Sequence, residues 1–217
     1  VLEKLQELPN LSIICGNHDL AVLGSLDPEW FNPYARVAAL WTREQISENS
    51  RAFLRSLTAR LETSDFTVVH GSPRRPVDEY LMSPAQFKEN ISRVHVWPLF
   101  IGHSHMPLCF QALAEPGREK ARRVGLEKEV GAEMFFLENG QEVAIARNPY
   151  GDTPTIFNPG SLGQPRDHDR RAACGLYDSE KKSFRSVRVE YDIAAVQAKI
   201  RAADLPEFLA LRLAYGQ

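Results

Sequence analysis

The segment VWPLFIGHSH, residues 96–105, places two histidines directly after an apolar run. An apolar run that ends at a glycine predicts a buried strand, and the end of such a strand is where an open α/β sheet forms a ligand crevice. Because residues two apart on an extended backbone project to the same side, His103 and His105 can address one metal ion or two adjacent ones. The alternative is a pair of hydrogen-bonded surface histidines, and clusters elsewhere in the chain favour the metal site.

Two further polar clusters also follow predicted strands. GNHD, residues 16–19, follows the apolar run of residues 11–15, and HGSP, residues 70–73, follows that of residues 66–69. Four of the six histidines lie just past predicted strand ends: His18, His70, His103 and His105. Imidazole and amide groups are neutral ligands for borderline divalent cations, and a carboxylate beside a histidine raises its basicity. The sequence therefore predicts a metal site that carries its own acid–base residue.

Apolar periodicity along the chain predicts one α/β domain over residues 1–217. In the first half, the predicted strands alternate with a helix at residues 1–8, a helical region at 34–61 and a helix at 83–93. Within the helical region, the segments are 42–46 and 49–61. The second half predicts antiparallel pairing and two closing helices: strand 108–113, a hairpin over 134–145 that turns at 138–141, strand 155–157, a hairpin of 173–177 with 184–189, and helices 193–202 and 206–215.

Composition limits the classes of function. The chain has 217 residues, 43% of them hydrophobic and 25% charged, with a formal net charge of -2, which argues against a strongly basic nucleic-acid surface. The charged run at residues 118–129 is interpreted as a solvated loop, with a nucleic-acid patch as the alternative. No apolar stretch approaches the roughly 20 residues that span a bilayer, which predicts a cytoplasmic protein without a membrane segment. The sequence indicates no oligomeric state, and Cys15, Cys109 and Cys174 are expected to be reduced core thiols.

The three histidine clusters occur in an order that resembles a known family. GNHD at residues 16–19, VHGSP at 69–73 and GHSH at 102–105 look like the third to fifth motifs of the calcineurin-like metallophosphoesterases. NPGS at 158–161, followed by QPR at 164–166, resembles the bacterial small-phosphoesterase branch of that superfamily. The resemblance covers nearly the whole chain. It implies a four-layer αββα sandwich, with two mixed β-sheets between helices and two divalent metal ions at the strand ends.

The resemblance also implies which residues hold the metals. Three residues match ligands of one metal and a fourth matches a ligand of the other: Asn17, His70 and His103, then His105. The ions are expected to be Mn, Fe, Zn, Ni or Co, because His and Asn ligands accept each of these. Two such ions can hold a hydroxide, aim it in line at phosphorus and neutralise the phosphoryl oxygens.

The implied reaction needs a proton donor and a phosphate contact. His18 matches the histidine that protonates the leaving oxygen, and Asp19 matches the acid that orients it. A histidine that titrates near neutral pH suits that task. The implied substrate is a small phosphomonoester, phosphodiester or dinucleotide polyphosphate. Arg166 and Arg74, just beyond motif loops, are candidate substrate contacts because guanidinium groups bind phosphate bidentately.

Other polar residues are interpreted without a role in the chemistry. His95, at the start of an apolar strand, is expected to pack at the core or the edge. Arg75 and His168 are both expected to be solvated. For His168, the alternative is a position that faces the crevice. Residues 158–161 are interpreted as a Pro-Gly turn that packs under the site. Tyr80 is too generic to assign.

The first two motifs of the family, Asp-x-His and Gly-Asp-x-x-Asp, have no copy in this sequence. The chain opens on Val1 inside a predicted helix, so an N-terminal segment with these motifs is expected to precede it. The chain alone is expected to bind metal weakly at one site with negligible turnover, and the full-length protein to be active. Two alternatives stay open: a non-catalytic phosphate-binding or scaffold protein that retains the fold, and a serine/threonine phosphoprotein phosphatase.

Overall fold

The structure is a computed structural model of the chain and describes residues 1–113, 131–148 and 151–217. Its helices are α1 (Leu2–Gln6), α2 (Asn17–Leu23), α3 (Pro33–Gln45), α4 (Glu48–Ser56), α5 (Pro84–Asn90), α6 (Ile193–Ala202) and α7 (Glu207–Leu211). Its strands are β1 (Arg60–Glu62), β2 (Thr67–Val69), β3 (Leu99–Phe100), β4 (Pro107–Ala112), β5 (Ala132–Phe136), β6 (Glu142–Ala144), β7 (Arg147–Asn148), β8 (Gly151–Asp152), β9 (Thr155–Pro159), β10 (Ala172–Asp178) and β11 (Ser183–Val189). Short 3-10 turns occupy Pro28–Trp30, Ile91–Arg93 and Arg212–Ala214.

The central element is a six-stranded sheet in the order β1-β2-β3-β9-β4-β5. Its middle strands β2, β3 and β9 run parallel, with Phe100 opposite both Val68 and Phe157. The pairings of β1 with β2, β9 with β4, and β4 with β5 are antiparallel, so the sheet is mixed. Because parallel neighbours end at the same edge, the segments that leave β2, β3 and β9 lie side by side.

A second sheet, in the order β10-β11-β6, is antiparallel and packs on the first. Phe157 of the first sheet stacks on Phe184 of the second, with ring centroids 4.3 Å apart. Ile156 and Phe110 face the opposite way and share a core with Phe87 of α5. Because successive side chains of a strand alternate between faces, the six-stranded sheet is covered by α5 on one side and by the second sheet on the other. These layers confirm the predicted α/β sandwich with two sheets.

Helices α3 to α6 begin at polar caps. Asn32 Oδ1 accepts a hydrogen bond from the Ala35 N–H at the start of α3, and Ser83 Oγ accepts one from the Gln86 N–H at the start of α5. In both helices a proline follows the cap, where its fixed φ and missing N–H are tolerated. Among the described residues, none of the helices combines the length and apolarity needed to cross a lipid bilayer.

Two predicted elements of the first half are wrong in part. The predicted strand of residues 11–15 contributes one bridge, from Ile14 to Thr58. The predicted helix of residues 49–61 ends early, because Leu57 has extended φ and ψ of -73° and 140° and Arg60–Glu62 forms β1 beside β2. Apolar spacing alone does not distinguish a last helical turn from a short edge strand, and pairing with β2 decides the outcome.

The predicted hairpin over residues 134–145 is wrong. The turn forms, with the Gln141 N–H donating to the Glu138 carbonyl at 3.1 Å, but the flanking strands do not pair with each other. In β5, Phe135 lies opposite Cys109 of the first sheet, whereas Val143 of β6 lies opposite Phe184 of the second. The chain crosses between sheets at this turn, a choice that strand-like alternation cannot show.

Other predicted elements are confirmed or shortened. The hairpin of residues 173–177 and 184–189 is β10 with β11, and the predicted helices at 193–202 and 83–93 correspond to α6 and to α5 with its 3-10 turn. The predicted strand of residues 96–101 is limited to β3, which follows a cis peptide between Trp97 and Pro98. The three cysteines are free thiols, as expected. The predicted loop at 118–129 lies outside the described residues.

Candidate metal centre

The parallel strands β2 and β3 deliver two histidines to one edge of the sheet. His70 follows the last residue of β2, and His103 follows β3 after Ile101 and Gly102. The Gly102 N–H donates to the His70 carbonyl at 2.9 Å, so the two segments stay paired beyond the strands. A Cβ on Gly16 would stand 3.0 Å from the His70 ring. The glycine therefore allows the start of α2 to approach His70 closely.

Three ligand-type atoms converge at this edge. His70 Nε2 lies 3.1 Å from Asn17 Oδ1 and 3.2 Å from His103 Nδ1. Asn17 and His103 are buried, with 9% and 7% of their surfaces exposed. Ligand atoms about 2.1 Å from a tetrahedral ion lie about 3.4 Å from one another, close to the separations observed. Two imidazole nitrogens and one amide oxygen therefore fit three ligands of one divalent cation.

The histidines of this edge are held in the neutral form that binds metals. Burial is the main cause that lowers the pKa of His70 to about 3, and the charges of His103, His105 and His18 add to the effect. Burial likewise lowers the pKa of His105 to about 4, helped by the charge of Arg166. The charges of neighbouring histidines and of Arg166 thus act in the same direction as burial, and the Arg166 N–H donates to the His105 carbonyl at 3.4 Å.

A backbone contact orients His105. Its Nδ1 lies 2.7 Å from the carbonyl oxygen of Gln164, which can only accept, so Nδ1 carries the proton and Nε2 keeps its lone pair. Contacts of this kind fix the tautomer of metal-binding histidines. Sequence reasoning missed the role of Gln164, because a backbone carbonyl leaves no signal in the residue type.

The loop that carries Gln164 also carries Arg166. The Arg166 guanidinium donates to Gln164 Oε1, with Nη2 at 2.7 Å. The loop is anchored behind the site, because Asp167 forms an ion pair with Arg188, whose side chain is only 3% exposed. Arg166 therefore lies on a fixed loop beside His105, and its guanidinium is held by a neutral amide oxygen.

His18 and Asp19 begin helix α2. The His18 ring lies 4.5 Å from the Phe31 ring, centroid to centroid. Desolvation and the charge of Arg166 lower the pKa of His18, whereas the charge of Asp19 raises it. The Asp19 carboxylate accepts from the Gly16 N–H at 2.7 Å, so it caps the helix. Asp19 thus influences His18 through its charge, and its predicted orienting role stays a prediction.

Tyr80 covers His103 on the side away from the sheet. The two rings stack with centroids 3.9 Å apart and an interplanar angle of 27°, and 47% of the tyrosine is exposed. The sequence left Tyr80 unassigned as too generic, because it lies in a loop without a motif. The contact helps to bury His103, and burial is the main cause that lowers the pKa of that histidine.

The remaining candidates lie in different surroundings. Arg74 forms ion pairs with Glu79 and with Glu89, the latter at 3.0 Å, so its predicted substrate contact stays a prediction. His95 is exposed and lines a cavity at the other end of the sheet. His168 is also exposed, with φ of 66°. Within the described ranges, no three His, Cys, Asp or Glu side chains are grouped to hold a metal, and the group beside His70 and His103 is the Asn17 amide.

Comparisons with known proteins agree with this geometry. Residues 1–182 match the family model described as calcineurin-like phosphoesterase superfamily domain. An uncharacterized protein of Methanocaldococcus jannaschii is 31% identical over 223 aligned residues, which cover 100% of this chain and 79% of that protein.

Solved structures show the same similarity. The crystal structure of a metallophosphoesterase from Sphaerobacter thermophilus superposes with a TM-score of 0.79 and 34% identity, over 100% of this chain and 81% of that one. A hypothetical protein from Pyrococcus horikoshii OT3 shares the fold, with a TM-score of 0.70, 20% identity, and coverage of 100% of this chain and 77% of that chain.

Proposed function

Because the chain belongs to the calcineurin-like phosphoesterase superfamily, we propose that it hydrolyses a small phosphoester with the help of two divalent metal ions. The family supports a metal-dependent hydrolase of ester bonds. For this chain, the observation that carries the proposal is the convergence of Asn17 Oδ1, His70 Nε2 and His103 Nδ1. The substrates proposed are a phosphomonoester, a phosphodiester or a dinucleotide polyphosphate, and the cytoplasmic location stays a prediction.

The chain's own donors would hold the metals. Asn17, His70 and His103 would hold one ion, and His105 would offer Nε2 to a second, since its Nδ1 is engaged by Gln164. Mn, Fe, Zn, Ni and Co all accept such ligands. When bound, the ions supply positive charge for the phosphoryl oxygens and lower the pKa of a coordinated water.

His18 supplies the proton for the leaving group. Its imidazolium N–H transfers a proton to the ester oxygen as the bond to phosphorus breaks. Burial is the main cause that lowers the pKa of His18, the charge of Arg166 lowers it further, and the charge of Asp19 opposes both. A solvent-accessible imidazole at the start of α2 can also regain its proton from bulk water.

Arg166 binds the phosphoryl group of the substrate. A guanidinium that donates to a neutral amide oxygen, as here to Gln164 Oε1, keeps its full charge and can exchange that partner for a phosphate oxygen. Charge-assisted bonds of this kind are about twice as strong as neutral ones. The same charge favours the neutral form of His105, which is the form that binds a metal.

Hydrolysis of an aryl phosphate tests the proposal. The full-length protein is assayed with para-nitrophenyl phosphate and with the corresponding diester, with Mn²⁺ and after chelation. We expect turnover that requires the metal and falls roughly 100-fold or more in His18→Asn. The matched control is His168→Asn, which changes the same side chain on the exposed loop, at a φ that asparagine tolerates.

The outcomes separate the mechanism from its alternatives. Full turnover by His18→Asn with unchanged metal affinity contradicts the proton-transfer role. A protein that binds metal and phosphate but hydrolyses neither ester supports the non-catalytic scaffold, which is favoured by the absence of a carboxylate among the three converging donors of the described residues. Preference for a phosphoserine or phosphothreonine peptide supports the phosphoprotein phosphatase.

A further inference from the structure

The turn that carries His103 has an uncommon backbone. His103 and His105 both have positive φ, at 59° and 61°. Residues with a side chain adopt this left-handed conformation rarely, and they keep it where the surrounding structure holds it. A free turn would therefore relax, and His103 Nδ1 would leave its position 3.2 Å from His70 Nε2. Some contact must hold the turn in place.

Asn158, near the end of β9, makes that contact. Its side chain is fully buried, at 0% exposure. The Nδ2 amide donates to the Gly102 carbonyl at 2.6 Å and to Ser104 Oγ at 2.9 Å. Its Oδ1 accepts from the Gly160 N–H at 3.0 Å. Both amide hydrogens are thus used on the residues that flank His103, one on each side.

The geometry identifies Asn158 as the positioning residue for His103, which it presents to His70 and Asn17 by fixing the residues on both sides of it. Asn158 does not touch substrate or metal, and it acts through the turn. The inference rests on the proposed function only in that a metal binds at His103. It assigns a specific task to the NPGS segment, which the sequence indicated only as a turn beneath the site.

The contact holds both neighbours of His103 but only one neighbour of His105, Ser104. His105 is oriented by a different contact, the Gln164 carbonyl, which lies in the loop that follows β9. Loss of the Asn158 amide should therefore disturb His103 before His105. This asymmetry distinguishes positioning from a general loss of stability, which would affect both rings.

The experiment compares Asn158→Ala with Ser104→Ala and with a control, Thr67→Val. Ser104→Ala removes one of the two bonds and leaves Asn158 in place, so it serves if Asn158→Ala does not fold. Thr67 is also fully buried, and its hydroxyl donates to the Val96 carbonyl at 2.8 Å at the opposite end of β2. The control thus removes a comparable buried hydrogen bond far from the turn.

Two readouts are independent of hydrolysis. The first is the set of imidazole ¹⁵N resonances of His103 and His105 in the metal-free protein. The second is Co²⁺ affinity by calorimetry, with the visible spectrum of the bound ion. We expect Asn158→Ala to shift the His103 signals, to weaken Co²⁺ binding roughly 10- to 100-fold and to change the spectrum. Ser104→Ala should weaken binding about threefold, and Thr67→Val should leave it unchanged.

Other results overturn the inference. Unchanged His103 resonances in both site variants contradict it even if no metal binds. Equal weakening of Co²⁺ binding by Thr67→Val contradicts it as well, because the effect would then be one of general stability. A protein that binds Co²⁺ as expected but hydrolyses no phosphoester refutes the proposed function and leaves this inference standing.

Discussion

The two ends of the six-stranded sheet carry polar groups of opposite kinds. At the carboxyl ends of β2 and β3, the neutral donors Asn17, His70 and His103 face one another at 3.1 and 3.2 Å. At the amino ends of the same strands lies a cavity of about 670 Å³. Its lining includes Arg147 and Lys182, each 3.1 Å from an oxygen of one carboxylate, Asp152.

The difference indicates which end of the six-stranded sheet suits a cation better. Opposite charges at the amino ends already satisfy one another, so an added ion has to compete with existing ion pairs. At the carboxyl ends, lone pairs converge without a formal charge between them, and burial keeps the imidazoles unprotonated. Such an arrangement is satisfied best by a divalent cation. Polar residues in a cleft thus indicate a cation site only when their hydrogen-bond and ion-pair partners are known as well.

The largest expected effect compares one histidine from each end. His70→Ala should weaken Mn²⁺ binding roughly 100-fold, because His70 contacts both other proposed ligands. Removing a ligand should cost more metal affinity than removing a residue that only orients a ligand. His95→Ala, in the cavity at the amino ends, should leave Mn²⁺ affinity unchanged. Titration calorimetry on the two variants measures both values. Similar losses in both would show that the two ends do not differ in the way described.

A smaller effect is expected when two arginines are compared. Arg166→Gln should lower kcat/KM for an aryl phosphate about tenfold, since one charge-assisted contact is lost. Arg74→Gln should change it by less than about twofold, because Arg74 is already paired with Glu79 and Glu89. Steady-state kinetics of the full-length protein provide the measurement, with Mn²⁺ affinity as the control. A larger loss of kcat/KM in Arg74→Gln than in Arg166→Gln would assign the phosphate contact to Arg74 instead.

The smallest expected effect concerns pH. The pKa of His70 in the folded chain is about 3, below the ordinary value of about 6.5, so between these values the unfolded chain binds a proton that the folded chain does not. The contribution of neutral His70 to the free energy of unfolding is therefore fully present above about pH 6.5, and it is lost as the pH decreases from there to about 3. We expect the Tm of metal-free protein to fall more steeply with acid than that of His70→Ala, by about 3 °C per pH unit. Parallel curves would contradict the shifted pKa.

Much of the fold followed from local patterns. Residues 155–157 were predicted as a short strand, and the structure confirms it as part of β9, with Ile156 and Phe157 in two separate cores. The hairpin of β10 and β11 was predicted because its turn and its apolar runs are contiguous. The partners of β5 and β6 were predicted wrongly, as each other, whereas β5 pairs with β4 and β6 pairs with β11. Alternation reports burial but not the partner. Gln164 was missed for a related reason, since its carbonyl acts without any contribution from its side chain.

Apolar periodicity and chain order were enough to predict that histidines follow strands and that parallel strands deliver their ends to one edge. Which groups meet at that edge depends on the folded chain. It brought Asn17 to His70, engaged Arg74 with Glu79, and set Asn158 behind Gly102. Each of these contacts depends on the direction of a side chain across a long sequence separation, and residue type and spacing do not specify that direction.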